Sequence, residues 1–189
     1  KTTALIVEKC YKTGTKSLNG RLIAPYQRDG VLWMLWRERQ HSGPKGGFLC
    51  DEMGLGKTVQ TITTMLGNPK ESTLIVTPKS IITQWKTEIA KFAPNLKIML
   101  FDGPARQTNF QDFDVVIAPY SLTYVKKGEP GDTPLHQVKW GRIILDEAHE
   151  IRNIKSKMNV SLSSINSEIR WLLTGTPIFN TIKDFIGLC

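Results

Sequence analysis

Two glycines, a lysine and a threonine close the segment Asp51-Glu-Met-Gly-Leu-Gly-Lys-Thr58, which follows a short apolar run ending at Cys50 and opens a helical pattern at Thr58. Gly54 and Gly56 let the backbone wrap an anion with no Cβ in the way. The amides near Gly56, Lys57 and Thr58 then point at that anion from a helix N-terminus. A lysine in this position reaches the β- and γ-phosphates of a nucleoside triphosphate, and the threonine hydroxyl binds Mg2+. The general pattern is GxxxxGK followed by Ser or Thr, and here Asp51 replaces its first glycine. Taken alone, the segment also reads as a glycine turn with an exposed lysine. The strand–loop–helix context and the intact Gly-Lys-Thr favour a phosphate loop.

Downstream, Trp140-Gly-Arg-Ile-Ile-Leu-Asp-Glu-Ala-His149 ends an apolar strand in two adjacent carboxylates. A buried strand end is costly for two acids unless a cation is near. Mg2+ with ATP supplies one. Asp146 would hold the metal through water, and Glu147 would polarise the attacking water as general base. His149 could contact a neighbouring motif and couple hydrolysis to movement. The plainer alternative is a helix N-terminus decorated with favourable acids; a phosphate loop upstream in the same sheet argues against it.

These residues need a frame that gathers strand ends. Apolar runs at 47–50, 73–77, 97–101, 114–118, 142–146 and 170–174 are the predicted strands, mostly apolar throughout rather than alternating. Strands buried on both faces look like that, and they belong to parallel sheets. Between them lie helical patterns. Ile81, Ile82, Trp85, Ile89 and Phe92 share one face, with Ser80 as N-cap and Pro94-Asn95 as the stop; Val59, Ile62, Met65 and Leu66 share another. Trp85, Trp171, Trp33 and Trp36 read as core. The order predicts an α/β fold, a mostly parallel sheet with helices on both faces, whose ligands bind at the carboxyl ends of the strands. Residues 1–20 read as a polar, basic lead-in, and 126–139 as a surface loop.

The chain has 189 residues, enough for one good core, and a net charge of +8, a balance that suits anionic partners, nucleic acid being the usual one, and equally an inert basic surface. Cys10, Cys50 and Cys189 are odd in number and scattered, which argues against a disulfide framework or a zinc site and for a reducing, intracellular setting. No apolar run approaches the ~18 residues of a membrane span, and the first residues are too weakly apolar for a signal peptide.

In order, the motifs resemble the first RecA-like lobe of the Swi/Snf-type ATPases of helicase superfamily two, over residues 21–189. Leu22-Ile-Ala-Pro-Tyr-Gln-Arg-Asp-Gly30 resembles the family's glutamine motif, so Gln27 is expected to read adenine. The loop residues Gly54, Leu55, Gly56, Lys57 and Thr58 match its nucleotide site, and the aspartate at its start is usual in this family. Pro78-Lys79-Ser80 through Gln84-Trp85, and Val115 through Tyr120-Ser121, resemble motifs that touch the nucleic-acid backbone, which makes Lys79, Ser80, Tyr120 and Ser121 the DNA-contact candidates. The family commonly has two threonines where this chain has Ala118-Pro119. Asp146 through Arg152 matches the Mg2+ motif with its basic extension. Leu173-Thr174-Gly175-Thr176-Pro177, with Asn180 after it, matches the motif that relays nucleotide state to the track. Phe101-Asp102-Gly103 with Arg106 leans towards the repair and transcription-regulator branch.

The resemblance implies an ATP- and Mg2+-dependent motor. It would track on the phosphates of duplex DNA and displace or remodel bound protein, chromatin included, in the nucleus if the protein is eukaryotic or viral and otherwise in the cytoplasm. It also implies a second RecA-like lobe, supplying arginines that stabilise the transition state. No arginine follows Thr174 here, so the expectation is that these 189 residues alone hydrolyse ATP very poorly. A strand-separating or RNA-dependent helicase of the same superfamily, or a catalytically idle interaction lobe, are the alternatives.

Overall fold

The computed structural model describes residues 2–104, 107–124, 133–151, 153 and 155–176. The chain runs α1 (Thr2–Ser17), α2 (Pro25–Glu38), β1 (Lys45–Leu49), α3 (Lys57–Gly67), β2 (Thr73–Thr77), α4 (Ile82–Phe92), β3 (Ile98–Leu100), β4 (Val115–Pro119), β5 (Trp140–Asp146), α5 (Lys157–Ser164) and β6 (Ser167–Leu173). The six strands form one sheet in the order β1-β6-β5-β2-β4-β3, and every pairing is parallel.

The near-continuous apolar strands are explained by the two cores. Successive side chains point to opposite faces. Leu74, Val76, Val116, Ile143, Leu145 and Leu172 join Leu162 of α5 on one face. Ile75, Val115, Ile117, Ile144 and Trp171 join Ile62 and Met65 of α3 and Trp85 and Ile89 of α4 on the other. Six of the predicted strands exist, with ends displaced by up to three residues. Among the described residues no helix is long and apolar enough to cross a membrane.

Three expectations are corrected. The segment read as a lead-in is helical from Thr2 to Ser17 and packs on α2 and α3. Gly14 is where that helix crosses α3: a Cβ on Gly14 would lie 2.5 Å from the Thr63 carbonyl oxygen, and one on Gly67 would lie 2.6 Å from that of Cys10. Ser80 does not cap α4. A 3-10 turn over Lys79–Ile81 precedes the helix, Ile81 takes the capping position, and no side chain caps it. Trp33 and Trp36 are 38% and 43% exposed, because α2 turns that side outward; Trp33 leans edge-on against Trp171 at 5.3 Å.

Sequence patterning gave no sign of a buried ion pair. Glu38 of α2 and Arg142 of β5 are almost fully buried and meet twice, Nε to Oε1 at 2.7 Å and Nη2 to Oε2 at 2.6 Å. Asn68 and the Trp171 indole also donate to Glu38, and Arg142 donates to the Asn68 carbonyl and the Thr73 hydroxyl. Every charge is answered, as burial requires.

Candidate nucleotide and metal site

Parallel strands all end on the same side, so the loops after β1, β2, β4, β5 and β6 gather at one edge. A cleft of about 430 Å³ opens there, lined by Gln27, Gly56, Lys57, Thr58, Asp146 and Glu147 among others. A larger hollow of about 1040 Å³ lies at the opposite, amino ends of the strands, between Ser72, Phe110 and Lys139, away from every motif.

The phosphate loop has the backbone its glycines predict. Gly54 and Gly56 both have φ of 82°, and Gly56 caps α3 in a left-handed conformation. A Cβ on Gly56 would also collide with the Gln27 amide. Asp51 needs no glycine, for it is not among the residues with positive φ. Its carboxylate instead accepts from the buried Gln60 amide at 2.8 Å, tying the start of the loop to α3. Lys57 Nζ bridges the Asp51 and Glu52 carbonyls at 2.6 and 3.1 Å. Gln27 is buried; its Oε1 accepts from the Ile23 amide at 2.8 Å and its Nε2 donates to the Leu55 carbonyl at 3.1 Å.

Asp146 ends β5 and is gripped from several sides. Oδ2 accepts from the Trp85 indole at 2.7 Å, Oδ1 accepts from the Glu147 amide at 2.9 Å, and its carbonyl accepts from the Tyr120 hydroxyl at 2.8 Å. Burial raises the carboxyl above its ordinary range, against the lowering effects of Trp85, the Glu147 amide, Lys57 and the Thr77 hydroxyl. That hydroxyl is buried and has no well-aligned hydrogen bond, so its effect on Asp146 is one of proximity. Glu147 is the one non-glycine residue of positive φ among those described, at 49°. Such backbone costs about 1–3 kcal/mol and collects at functional sites. His149 Nδ1 stands 3.2 Å from Glu147 Oε2, within ion-pair reach but too poorly aligned for a hydrogen bond.

The donor set fits Mg2+ brought in with a triphosphate. No group of three or more His, Cys, Asp or Glu among the described residues could hold a metal. A carboxylate and a threonine hydroxyl on a shared cleft are the few hard oxygens that Mg2+ takes from protein when phosphates supply the rest. A cation beside Asp146 would also offset the burial that now raises its pKa.

The relay motif lies against the phosphate loop. The Thr174 amide donates to the Leu49 carbonyl at 3.2 Å, and its hydroxyl accepts from the Thr176 amide at 3.1 Å. A Cβ on Gly175 would sit 3.6 Å from the Met53 nitrogen. Of the DNA-contact candidates, Ser80 and Ser121 are exposed, and Lys79 is exposed with Nζ 3.2 Å from Asp102. Tyr120, by contrast, is buried in the core, and its hydroxyl donates to the Asp146 carbonyl, so it offers little surface to a DNA phosphate. Burial, then Asp146, Glu150 and Glu147, hold that hydroxyl well above its usual pKa. Arg106, Arg152, Pro177, Asn180, Cys189 and the loop residues 126–132 lie outside the described residues.

Gln60 and the contacts of Tyr120 and Trp85 with Asp146 escaped the sequence reading. The one available signal was Trp85 itself, a buried indole whose N–H must find an acceptor.

A family model described as the SNF2-related domain matches residues 26–189. The chain is 34% identical over 195 residues to the ISWI chromatin-remodeling complex ATPase ISW1 of Saccharomyces cerevisiae, covering 96% of this chain and 16% of that protein. It is 34% identical over 184 residues to the transcription regulatory protein SNF2 of the same yeast, covering 90% and 10%. Among solved structures it is similar to the Sulfolobus solfataricus SWI2/SNF2 ATPase core in complex with dsDNA, with a TM-score of 0.79 and 31% identity, over 91% of this chain and 36% of that one. The chain thus spans a small part of the curated relatives and about a third of the solved core.

Proposed function

The chain belongs to the SNF2-related family, and from that premise we propose that it is the ATP-binding lobe of an ATPase that moves along duplex DNA and remodels protein–DNA complexes. The observation that carries this reading is the meeting of phosphate loop, acidic strand end and relay motif at one edge of the sheet, around a cleft sized for a nucleotide.

In this reading the amides at the start of α3 and Lys57 take the β- and γ-phosphates. Gln27 meets the adenine from the wall of the same cleft. Thr58 and Asp146 hold Mg2+, which when bound neutralises charge on the phosphates. Glu147, on the wall of the cleft, orients the attacking water. His149 and Thr174 to Thr176 pass the state of the site onward. Lys79, Ser80 and Ser121 touch DNA phosphates, without sequence preference and with strong salt dependence. A second RecA-like lobe supplies arginines, and the protein works in the nucleus if it is eukaryotic or viral, otherwise in the cytoplasm.

Binding of a fluorescent ATP analogue with Mg2+ tests the lobe directly. Lys57→Ala is expected to weaken it by at least ~10-fold, and equal binding by both proteins would end the phosphate-loop reading. The chain alone is expected to show near-background hydrolysis with or without duplex DNA, for want of the arginine contribution. Brisk DNA-stimulated turnover by these 189 residues would refute the need for a second lobe.

A further inference from the structure

Asp146 is the carboxylate this chain offers to a metal, and an element distant in sequence holds it. Trp85 lies on α4, 2% exposed, and its indole N–H donates to Oδ2 at 2.7 Å. The opposite oxygen takes the Glu147 amide at 2.9 Å. Together these donors fix the plane of the carboxylate, which cannot rotate without losing one of them. The Tyr120 hydroxyl pins the backbone of the same residue. Two of the three donors come from elsewhere in the chain, Trp85 from α4 and Tyr120 from the turn after β4. Partners of this kind orient a metal ligand and tune its affinity even though they never touch the metal.

We propose that Trp85 is a positioning residue for the metal-binding carboxylate: its indole N–H fixes Asp146 with the remaining lone pairs facing the cleft, and α4 thereby sets the affinity of the lobe for Mg2+-nucleotide. The inference rests on the ATP-binding reading above. Burial alone does not require this arrangement, since a phenylalanine would fill much of the same volume between α4 and the sheet without donating.

The experiment uses the 189-residue chain, 15N-labelled, whose five tryptophans give five indole signals. Trp85 is assigned in the wild type itself, from spectra that link each indole proton to its own backbone amide, so that no variant is needed. In the wild type with the fluorescent ATP analogue bound, adding MgCl2 is expected to move the Trp85 signal further than those of Trp33, Trp36, Trp140 and Trp171. In Trp85→Phe, the Mg2+ concentration for half-maximal analogue binding is expected to rise roughly 10-fold. A folded Trp85→Phe chain with an unaltered Mg2+ requirement overturns the proposal. If the variant does not fold, the wild-type signal decides: an indole that stays put as Mg2+ saturates overturns it as well. Wild-type binding that ignores Lys57→Ala would instead sink the ATP reading, and this inference with it.

Discussion

At Gly56 one hydrogen atom does two jobs. The residue holds φ of 82° and lies against the Gln27 amide, so a methyl group meets both a disfavoured backbone and an occupied space. Gly56→Ala is expected to cost about 1–2 kcal/mol from the left-handed backbone alone, read as a lowered urea midpoint, and to abolish analogue binding. Asp146 shows the opposite bargain. Its raised pKa means that the charged form is less at home in the fold than in the unfolded chain, so at neutral pH the residue works against stability. Asp146→Asn is therefore expected to raise the melting temperature while removing the extra stabilisation that Mg2+ gives the nucleotide complex. A melting temperature that falls would mean that the Trp85 and Glu147 hydrogen bonds outweigh the burial.

Among the elements, α2 does more than carry Gln27. Its last residue, Glu38, anchors it to β5, β6 and the end of α3 through Arg142, Trp171 and Asn68. Removing one partner of a buried pair leaves the other charge unanswered. Glu38→Ala is expected to cost about 3–5 kcal/mol in urea unfolding, far more than a surface acid, and a shift below ~1 kcal/mol would mean that water reaches Arg142. The open edge of β1 is handled in a related way: Arg37 of α2 donates to the Gly46 and Pro44 carbonyls at 2.8 and 2.9 Å, which shields backbone that another strand could otherwise pair with.

For the molecule as a whole, acid tests how the strands are tied. Glu168 of β6 pairs with Lys45 of β1 at 2.7 Å and with Lys70, just before β2, at 2.9 Å. The lysine hydrogen bonds lower its carboxyl from 4.5 to about 2. A depressed carboxylate adds stability above its unfolded pKa and loses it as pH falls through the folded one, so this contribution fades between 4.5 and about 2. The pair is solvent-accessible, which limits its worth to at most about 1 kcal/mol. Glu168→Gln is expected to be slightly less stable than wild type at pH 7 and equal to it near pH 2; a gap that persists in acid would point to packing instead of charge.

The sequence alone determined what local pattern and covalent spacing encode. Strands buried on both faces must be apolar throughout, so six of them were legible, and the parallel sheet with them. Gly54, Gly56, Lys57 and Thr58 lie within five positions, so a glycine turn running into a helix was legible too, as was the acidic end of β5. The tertiary structure decided everything that depends on which distant residues meet. Glu38 and Arg142 are 104 positions apart and Trp85 and Asp146 are 61 apart, and no periodicity links either pair. Tyr120 was read as a DNA-contact candidate by resemblance, and only the turn after β4 shows that its hydroxyl is aimed inward at Asp146. Residues 1–20 read as a lead-in because threonine and glycine are weak signs of a helix. Packing of that stretch on α3, where two glycines allow the close approach, supplies what its own propensity does not.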